Sequence, residues 1–280
     1  MNKCILNDTV EPVDLSLLES PIVFIHGYIS DCRIWDHLRF HWKGNQVSYF
    51  PTLSGFGNLN FGDNETVEFQ VDSHVRDVVT YIENEVGRAS HLVGWSYGAS
   101  LALLLAAKRP DLVSSVYSYE AGMSGFITDH EAAMLVGKDR QNMVAPVIEA
   151  LNRGDLRRAA KEMVNSACGV DSVFANLDVH DQQVFLDNAG TIPAMFEKNN
   201  DSPSSMNSVD LQEIRCRVTI GTGTLARPAY RIVGDEASKI IPNAYRQTVP
   251  TALHVVPTTN PQLFAAAIMQ HFSLLQIGTP

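Results

Sequence analysis

Cysteine is scarce in this chain, and no two cysteines stand close enough in sequence to act together. Cys4, Cys32, Cys168 and Cys216 are the only four in 280 residues. Without a C-x-x-C pair, neither a zinc site nor a disulfide framework is suggested, and buried free thiols are the plain reading. Basic charge is also short. Lys and Arg total 21 against 31 Asp and Glu, giving a formal net charge of −10. That balance argues against nucleic acid as a partner and disfavours anionic membrane surfaces. Long apolar runs are missing as well. The longest, Ala99 to Ala107, is far too short to span a bilayer, so no membrane insertion is expected. Met1 to Leu18 carries Asp8, Glu11 and Asp14 and no apolar stretch. A signal peptide is not expected there, and the expected compartment is the cytoplasm.

What is present is an ordinary globular composition, 45% hydrophobic and 19% charged. A chain of this length buries roughly 75% of its unfolded surface without staples. It suits one large domain, or a core carrying an insertion. Ile22 to Ile25 is a continuous apolar run of buried-strand type, ending in His26-Gly27-Tyr28. Ile34 to Trp42 reads as a short helix and Gln46 to Phe50 as a strand stopped by Pro51. Val67 to Val86 has helix-spaced Val71, Val75, Val78, Val79 and Ile82. Ser90 to Val93 and Val113 to Tyr119 read as strands, with a helix from Ala99 to Ala107 between them. This alternation implies a mostly parallel sheet with helices on both faces.

The pattern then changes. From about Thr128 to Asn200 there are helical signatures only: Val144 to Leu151, Leu156 to Ala167, and Asp181 to Lys198 with Pro193 expected to kink it. Residues 199–205 are polar and turn-rich, a linker by composition. Alternation resumes with a strand at Val218 to Ile220, a helix from Ala229 to Ile241, a strand at Tyr245 to Val249 and a closing helix from Pro261 to Leu275. The expected division is an α/β core from 1–124 and 206–280, with a helical insertion, 125–205, acting as a cap.

The most informative stretch is Gly94-Trp95-Ser96-Tyr97-Gly98. A bare G-x-S-x-G arises often by chance. Between a strand and a helix it describes a sharp turn that lifts a serine hydroxyl above a sheet and aims helix N-terminal N–H groups at one point. Glycine at both flanks removes the Cβ atoms that would crowd this turn. A serine hydroxyl is a poor nucleophile alone. It needs a histidine to take its proton and a carboxylate to orient that histidine. Of nine histidines, His254 is the best placed, in a loop after the last strand and so on the same rim as Ser96. His37, His41, His74, His91, His130, His180 and His271 read as surface or structural. Glu120 ends the strand next to that of Ser96 and is the candidate acid. Asp235 is the rival. It falls on a helix face, and about 18 residues before His254 are too few for the rest of a helix, a strand and their loops. The backbone N–H of Tyr97 and that of Tyr28 are the expected oxyanion donors. Gly27 makes the Tyr28 loop tight, and His26 is expected to fix that loop rather than act in catalysis.

Together these residues resemble the α/β-hydrolase fold superfamily over nearly the whole chain. His26-Gly27-Tyr28 is similar to its His-Gly-aromatic oxyanion loop. Pro51 to Gly57 is similar to its Asp-x-Pro-Gly-x-Gly loop in altered form, and Thr251 to His254 to its Gly-x-Gly-His approach. Many members carry the acid after the strand placed here at Val218 to Ile220, where this chain reads Gly-Thr-Gly-Thr. The resemblance is therefore to the capped serine hydrolases whose acid ends the preceding strand. It implies a carboxylic-ester hydrolase, acting on an ester or lactone of a small, partly apolar molecule, with Ser96, His254 and Glu120 as the triad. No metal or organic cofactor is implied. Cleavage of a C–C or amide bond by the same residues, and a low-turnover ligand receptor, are the alternatives. Met123, Phe126, Met134, Met143, Met163, Phe174 and Phe196 are candidate pocket residues, though cap packing at helical spacing accounts for most of them. Monomer and homodimer are both open.

Overall fold

The computed structural model describes residues 4–5, 19–42, 46–57, 69–196 and 206–277. Seven strands form one sheet: β1 (Cys4–Ile5), β2 (Ile22–Ile25), β3 (Ser48–Tyr49), β4 (Ser90–Trp95), β5 (Val113–Tyr119), β6 (Arg217–Gly223) and β7 (Ala244–Val249). Their order is β1-β7-β6-β5-β4-β2-β3, and every described pairing is parallel. Parallel strands need both faces covered. Accordingly β2 and β4 are buried along their whole length. Ile22 and Phe24 face one apolar layer with Trp35, Trp95, Tyr117, Phe264 and Phe272, while Val23 and Ile25 face the other with Leu92, Leu101, Val116, Val218 and Ile220.

The core helices are α1 (Asp36–His41), α2 (Val71–Tyr81) and α3 (Tyr97–Lys108). Between β5 and β6 come α4 (His130–Asn152), α5 (Leu156–Cys168), α6 (Val173–Asn176), α7 (Val179–Asp187), α8 (Ile192–Met195) and α9 (Ser208–Gln212). The chain closes with α10 (Pro228–Ile240), α11 (Val256–Thr259) and α12 (Pro261–Ile277). The helices from α4 to α8 contain no described strand between them, as the sequence pattern implies.

Several boundaries differ from the sequence expectation. The strand at Gln46 to Phe50 is only two residues long. The helix expected from Val67 begins at Val71 and ends in a π-turn, Ile82–Val86, closed by Gly87 in the left-handed region; residues 67–68 lie outside the described residues, as does the linker 199–205. The helix expected from Asp181 to Lys198 breaks at Asn188, well before Pro193. The Asn188 amide donates to Val184 O (2.9 Å) and to Asp31 Oδ2 (2.7 Å), and a single turn, Ala189–Thr191, follows. Pro193 then sits in the first turn of α8, where its missing N–H is harmless. Conversely α4 runs through Pro146 and starts fourteen residues earlier than Val144, because Asp129 caps it through Ala132 N–H (2.7 Å).

The register of the sheet matters most for function. Ile25 lies opposite Gly94, Trp95 opposite Tyr119, Tyr119 opposite Gly221, and Gly223 opposite Val249. Strands β2, β4, β5, β6 and β7 therefore end almost level. The loops that follow them, carrying Tyr28, Ser96, Glu120, Thr224 and His254, share one rim of the sheet.

Candidate active site

The turn after β4 is shaped by two forbidden side chains. A Cβ on Gly94 would lie 2.4 Å from Gly98 O, and one on Gly98 only 2.1 Å from Ile25 O. With no Cβ at either position, α3 closes onto the ends of β4 and β2. Ser96 between them takes φ 56° and ψ −114°, and its N–H donates to Tyr119 O (2.9 Å). Among the described residues, four others than glycine have positive φ: Ile29, Ser96, Glu120 and Thr251. All four stand in the loops of this one rim.

Ser96, His254 and Glu120 meet there. His254 Nε2 lies 3.0 Å from Ser96 Oγ, and His254 Nδ1 lies 2.7 Å from Glu120 Oε2. A carboxylate accepts only, so Nδ1 carries the proton and Nε2 presents its lone pair to the serine hydroxyl. Glu120 is itself fixed: its second oxygen accepts the Gly223 N–H at 2.9 Å, and its own N–H donates to Gly221 O. The end of β6 carries no acid, and instead its backbone holds the acid of β5. His254 and Glu120 are both buried, 4% and 2% exposed. The backbone of the His254 loop is tied to the neighbouring strand ends. Trp95 Nε1–H donates to His254 O (2.7 Å) and Tyr119 O–H to Leu253 O (3.0 Å). The Tyr230 ring lies flat on the imidazole, with centroids 4.1 Å apart and planes 8° off parallel. Burial pushes the Tyr230 phenol far above its ordinary range, so it stays neutral.

The expected oxyanion loop has a definite orientation. Gly27 O accepts from His26 Nδ1 (2.8 Å) and from Ser30 Oγ (3.0 Å). In a trans peptide the N–H points opposite to the C=O, so the Tyr28 N–H faces away from those two donors. Gly27 packs so tightly against the elbow that a Cβ there would lie 2.9 Å from the Trp95 ring and 3.2 Å from Ser96 Cβ. The Tyr97 N–H opens α3, where a helix offers no internal acceptor. His26 Nε2 accepts the Leu53 N–H (3.1 Å), so this buried ring clamps the loop 51–57 to the loop after β2. Burial drives its pKa down to about 4, which keeps it neutral and able to accept. The Tyr28 ring stacks on Tyr97 at 3.9 Å, and the Tyr97 hydroxyl bonds His74 Nδ1 (2.7 Å).

Asp235 is excluded from this group. It lies exposed on α10, paired with Arg246 at 3.0 Å. His91 and His271 are buried at the sheet, joined through Ser115 Oγ at 2.8 and 2.9 Å. His37, Asp178 and Asp181 bring ligand-type atoms within 4.8 Å of one another where α7 meets α1. They stand apart from the pocket lining, and Asp178 Oδ1 is engaged in capping α7.

A cavity of about 490 Å³ opens over Ser96. Its walls include Tyr28, Ile29, Trp95 and His254 from the core, and Met143, Met163 and Phe185 from the inserted helices. Of the pocket candidates from sequence, Met123, Met143, Met163 and Phe196 line it; Phe126 and Phe174 are buried in the two cores, and Met134 is exposed. Sequence reasoning missed Tyr230, Met195 and Arg140. Arg140 is the one visible there as a break in the apolar face of a helix. The inserted helices are bolted to the core beside this cavity. Arg33 bridges Asp31 (2.7 Å) and Asp187 (2.8 Å), and Asn188 Oδ1 accepts the Gly57 N–H (2.6 Å). On the other side Arg227 holds Asp139 at 2.7 Å.

Comparison with known proteins agrees with this architecture. A haloalkane dehalogenase of Bradyrhizobium diazoefficiens is 31% identical over 96 residues, covering 34% of this chain and 30% of that protein. The chain thus spans about a third of that relative's length in the match. Naproxen esterase from Bacillus subtilis superposes with a TM-score of 0.64 at 16% identity, covering 91% of this chain and 84% of that one. Est816, described as an N-acyl homoserine lactone degrading enzyme, superposes with a TM-score of 0.67 at 17% identity, covering 90% and 92%. Among the described residues no helix is long and apolar enough to cross a membrane. The model of the alpha/beta hydrolase family matches residues 22–267, and with the parallel sheet, the elbow and the level strand ends it establishes that this chain belongs to that family.

Proposed function

We propose that this hydrolase cleaves a carboxylic ester or lactone through an acyl-enzyme, with Ser96 as nucleophile, His254 as base and Glu120 as its orienting acid. The continuous relay from Glu120 Oε2 through His254 to Ser96 Oγ, at 2.7 and 3.0 Å, carries this reading. Ser96 Oγ attacks the carbonyl carbon while its proton passes to His254 Nε2. The N–H groups of Tyr28 and Tyr97 receive the charge forming on the carbonyl oxygen, where one such donor is typically worth ~3 kcal/mol. Imidazolium then protonates the leaving alcohol. Water, deprotonated by the same ring, releases the acid. Glu120 holds the ring in this orientation and stabilises the imidazolium. The described helices of the insertion, α4 to α8, serve as a cap over the cavity. The expected reaction needs no metal or organic cofactor.

The similarity to a haloalkane dehalogenase does not extend to chemistry in this proposal. Displacing halide from an alkyl carbon with a serine oxygen would leave an ether, which water cannot release by attack at a carbonyl. A serine suits substrates that already hold the carbonyl. The test is Ser96→Ala, which should abolish hydrolysis of short p-nitrophenyl esters and labelling by a fluorophosphonate. Retained turnover in that variant would refute the nucleophile assignment.

A further inference from the structure

Arg140 lies on α4 in the wall of the cavity over Ser96. Its Nη1 donates to Ser124 Oγ (2.6 Å) and its Nη2 to Gly122 O. Both partners are uncharged. Among the described residues no carboxylate is ion-paired with this guanidinium. Its sequence neighbour Asp139 is committed elsewhere, to Arg227 (2.7 Å) and to the Ala229 N–H (3.1 Å). The contrast with Arg33 is instructive. Arg33 is gripped by Asp31 and Asp187, and the Asp31 hydrogen bonds push its pKa up; burial without such a partner pulls that of Arg140 down.

The surroundings sharpen the point. Among the described residues that line the cavity, Arg140 is the only Arg or Lys, no Asp or Glu is present, and His254 is the only histidine. Most of the wall is apolar, with methionines at 123, 143, 163 and 195. A guanidinium drawn into such a place loses hydration that only an opposite charge restores. The two bonds above use two of its five N–H donors, leaving the others for a ligand. The chain as a whole carries −10, yet among the described lining residues Arg140 brings a single fixed positive charge. One monovalent cation with no second one beside it matches a monoanion better than a phosphate dianion.

We propose that Arg140 anchors a carboxylate on the substrate, so that the ester cleaved at Ser96 bears a free carboxylate on its acyl or its alcohol part. The apolar body between ester and carboxylate packs on the methionines. This inference rests on the ester-hydrolase reading and narrows its substrate class.

The experiment compares matched probes in the wild-type enzyme. On the acyl side these are p-nitrophenyl hydrogen adipate and its methyl-capped diester. On the alcohol side they are phenyl butyrate with a para-carboxylate and with a para-carboxamide. For at least one pair the anionic ester should have a kcat/KM roughly 10- to 100-fold higher, the range of a charge-assisted hydrogen bond. Arg140→Met should bring that ratio close to one, and Arg140→Lys should keep part of it. Monomethyl adipate, titrated calorimetrically into Ser96→Ala, should bind at least tenfold tighter than dimethyl adipate. That arm needs no turnover and no change at residue 140, so it reads the anion site even if the ester reading fails or a variant does not fold. Equal handling of both members of both pairs, a preference surviving in Arg140→Met, or equal binding of the two adipates overturns the proposal.

Discussion

Replacing Glu120 by Gln changes one atom of a buried carboxylate and tests the whole relay. The two oxygens of Glu120 each accept: Oε1 from Gly223 N–H at 2.9 Å, Oε2 from His254 Nδ1–H at 2.7 Å. A glutamine can satisfy only one. If its oxygen keeps the Gly223 N–H, its NH₂ faces Nδ1 and forces the proton to Nε2, where the ring cannot accept from Ser96. If its oxygen keeps Nδ1–H, two donors confront each other at Gly223 in a site closed to water, at a cost of ~1–3 kcal/mol. In either arrangement the negative charge beside the forming imidazolium is gone, a further ~2–3 kcal/mol. The sum of about 3–6 kcal/mol corresponds to roughly 10²- to 10⁴-fold in rate. The expected outcome is a kcat on p-nitrophenyl butyrate lowered about a thousandfold, with a near-native circular dichroism spectrum. Glu120→Asp retains the charge but is a methylene short of spanning both partners, and should fall between. A Glu120→Gln enzyme keeping more than a tenth of wild-type kcat would refute the reasoning and move the acid role elsewhere.

Two further outcomes follow from other parts of the structure. Tyr230 acts as a positioning residue by stacking on His254, a contact worth ~1 kcal/mol; Tyr230→Leu should lower kcat roughly fivefold and Tyr230→Phe should restore it. If Phe is as poor as Leu, the stacking account is wrong. Acid should destabilise the fold through its buried histidines. Burial lowers His26 and His91 to about 4 and His271 to about 3, against 6.5 when unfolded, so the unfolded chain protonates first and stability falls as pH drops from about 6.5 to about 4. Asp181 opposes this. Burial and then Asp178 raise it to about 6, so the native state takes up that proton first. His74 is lowered by burial as well, so at least three groups against one leave a slope of roughly 3 kcal/mol per pH unit or more between 6 and 4. Urea midpoints that stay flat across that range would contradict it.

The path from sequence to site was uneven for physical reasons. The elbow was readable because Gly94 and Gly98 are demanded by backbone contacts under 2.5 Å, and such demands leave a residue-type signature. His254 and Glu120 were readable because parallel strands put every C-terminal loop on one rim. The grip of Gly223 N–H on Glu120 was not readable. A backbone donor has no side chain to announce it. Tyr230 was hidden for another reason: it sits on a helix at ordinary spacing, and only the packing of α10 against the rim turns it toward His254. Arg140 left one signal, the break in an apolar helix face, and only the packing of α4 turns that break toward the cavity. The break at Asn188 was missed because its cause, a bond to Asp31, spans more than 150 residues.

The four left-handed residues of the rim have an evolutionary consequence. Ile29, Ser96, Glu120 and Thr251 each hold a backbone shape that their side chains resist, at ~1–3 kcal/mol apiece. Ile29 is buried in the core, so glycine there would lose more packing than the strain it relieved. Thr251 is exposed, and glycine there would relieve the strain with little packing to lose, while loosening the loop that aims the His254 ring. Selection for thermal endurance and selection for turnover therefore pull this position in opposite directions, and laboratory lineages bred for heat resistance alone should drift toward glycine there while losing speed.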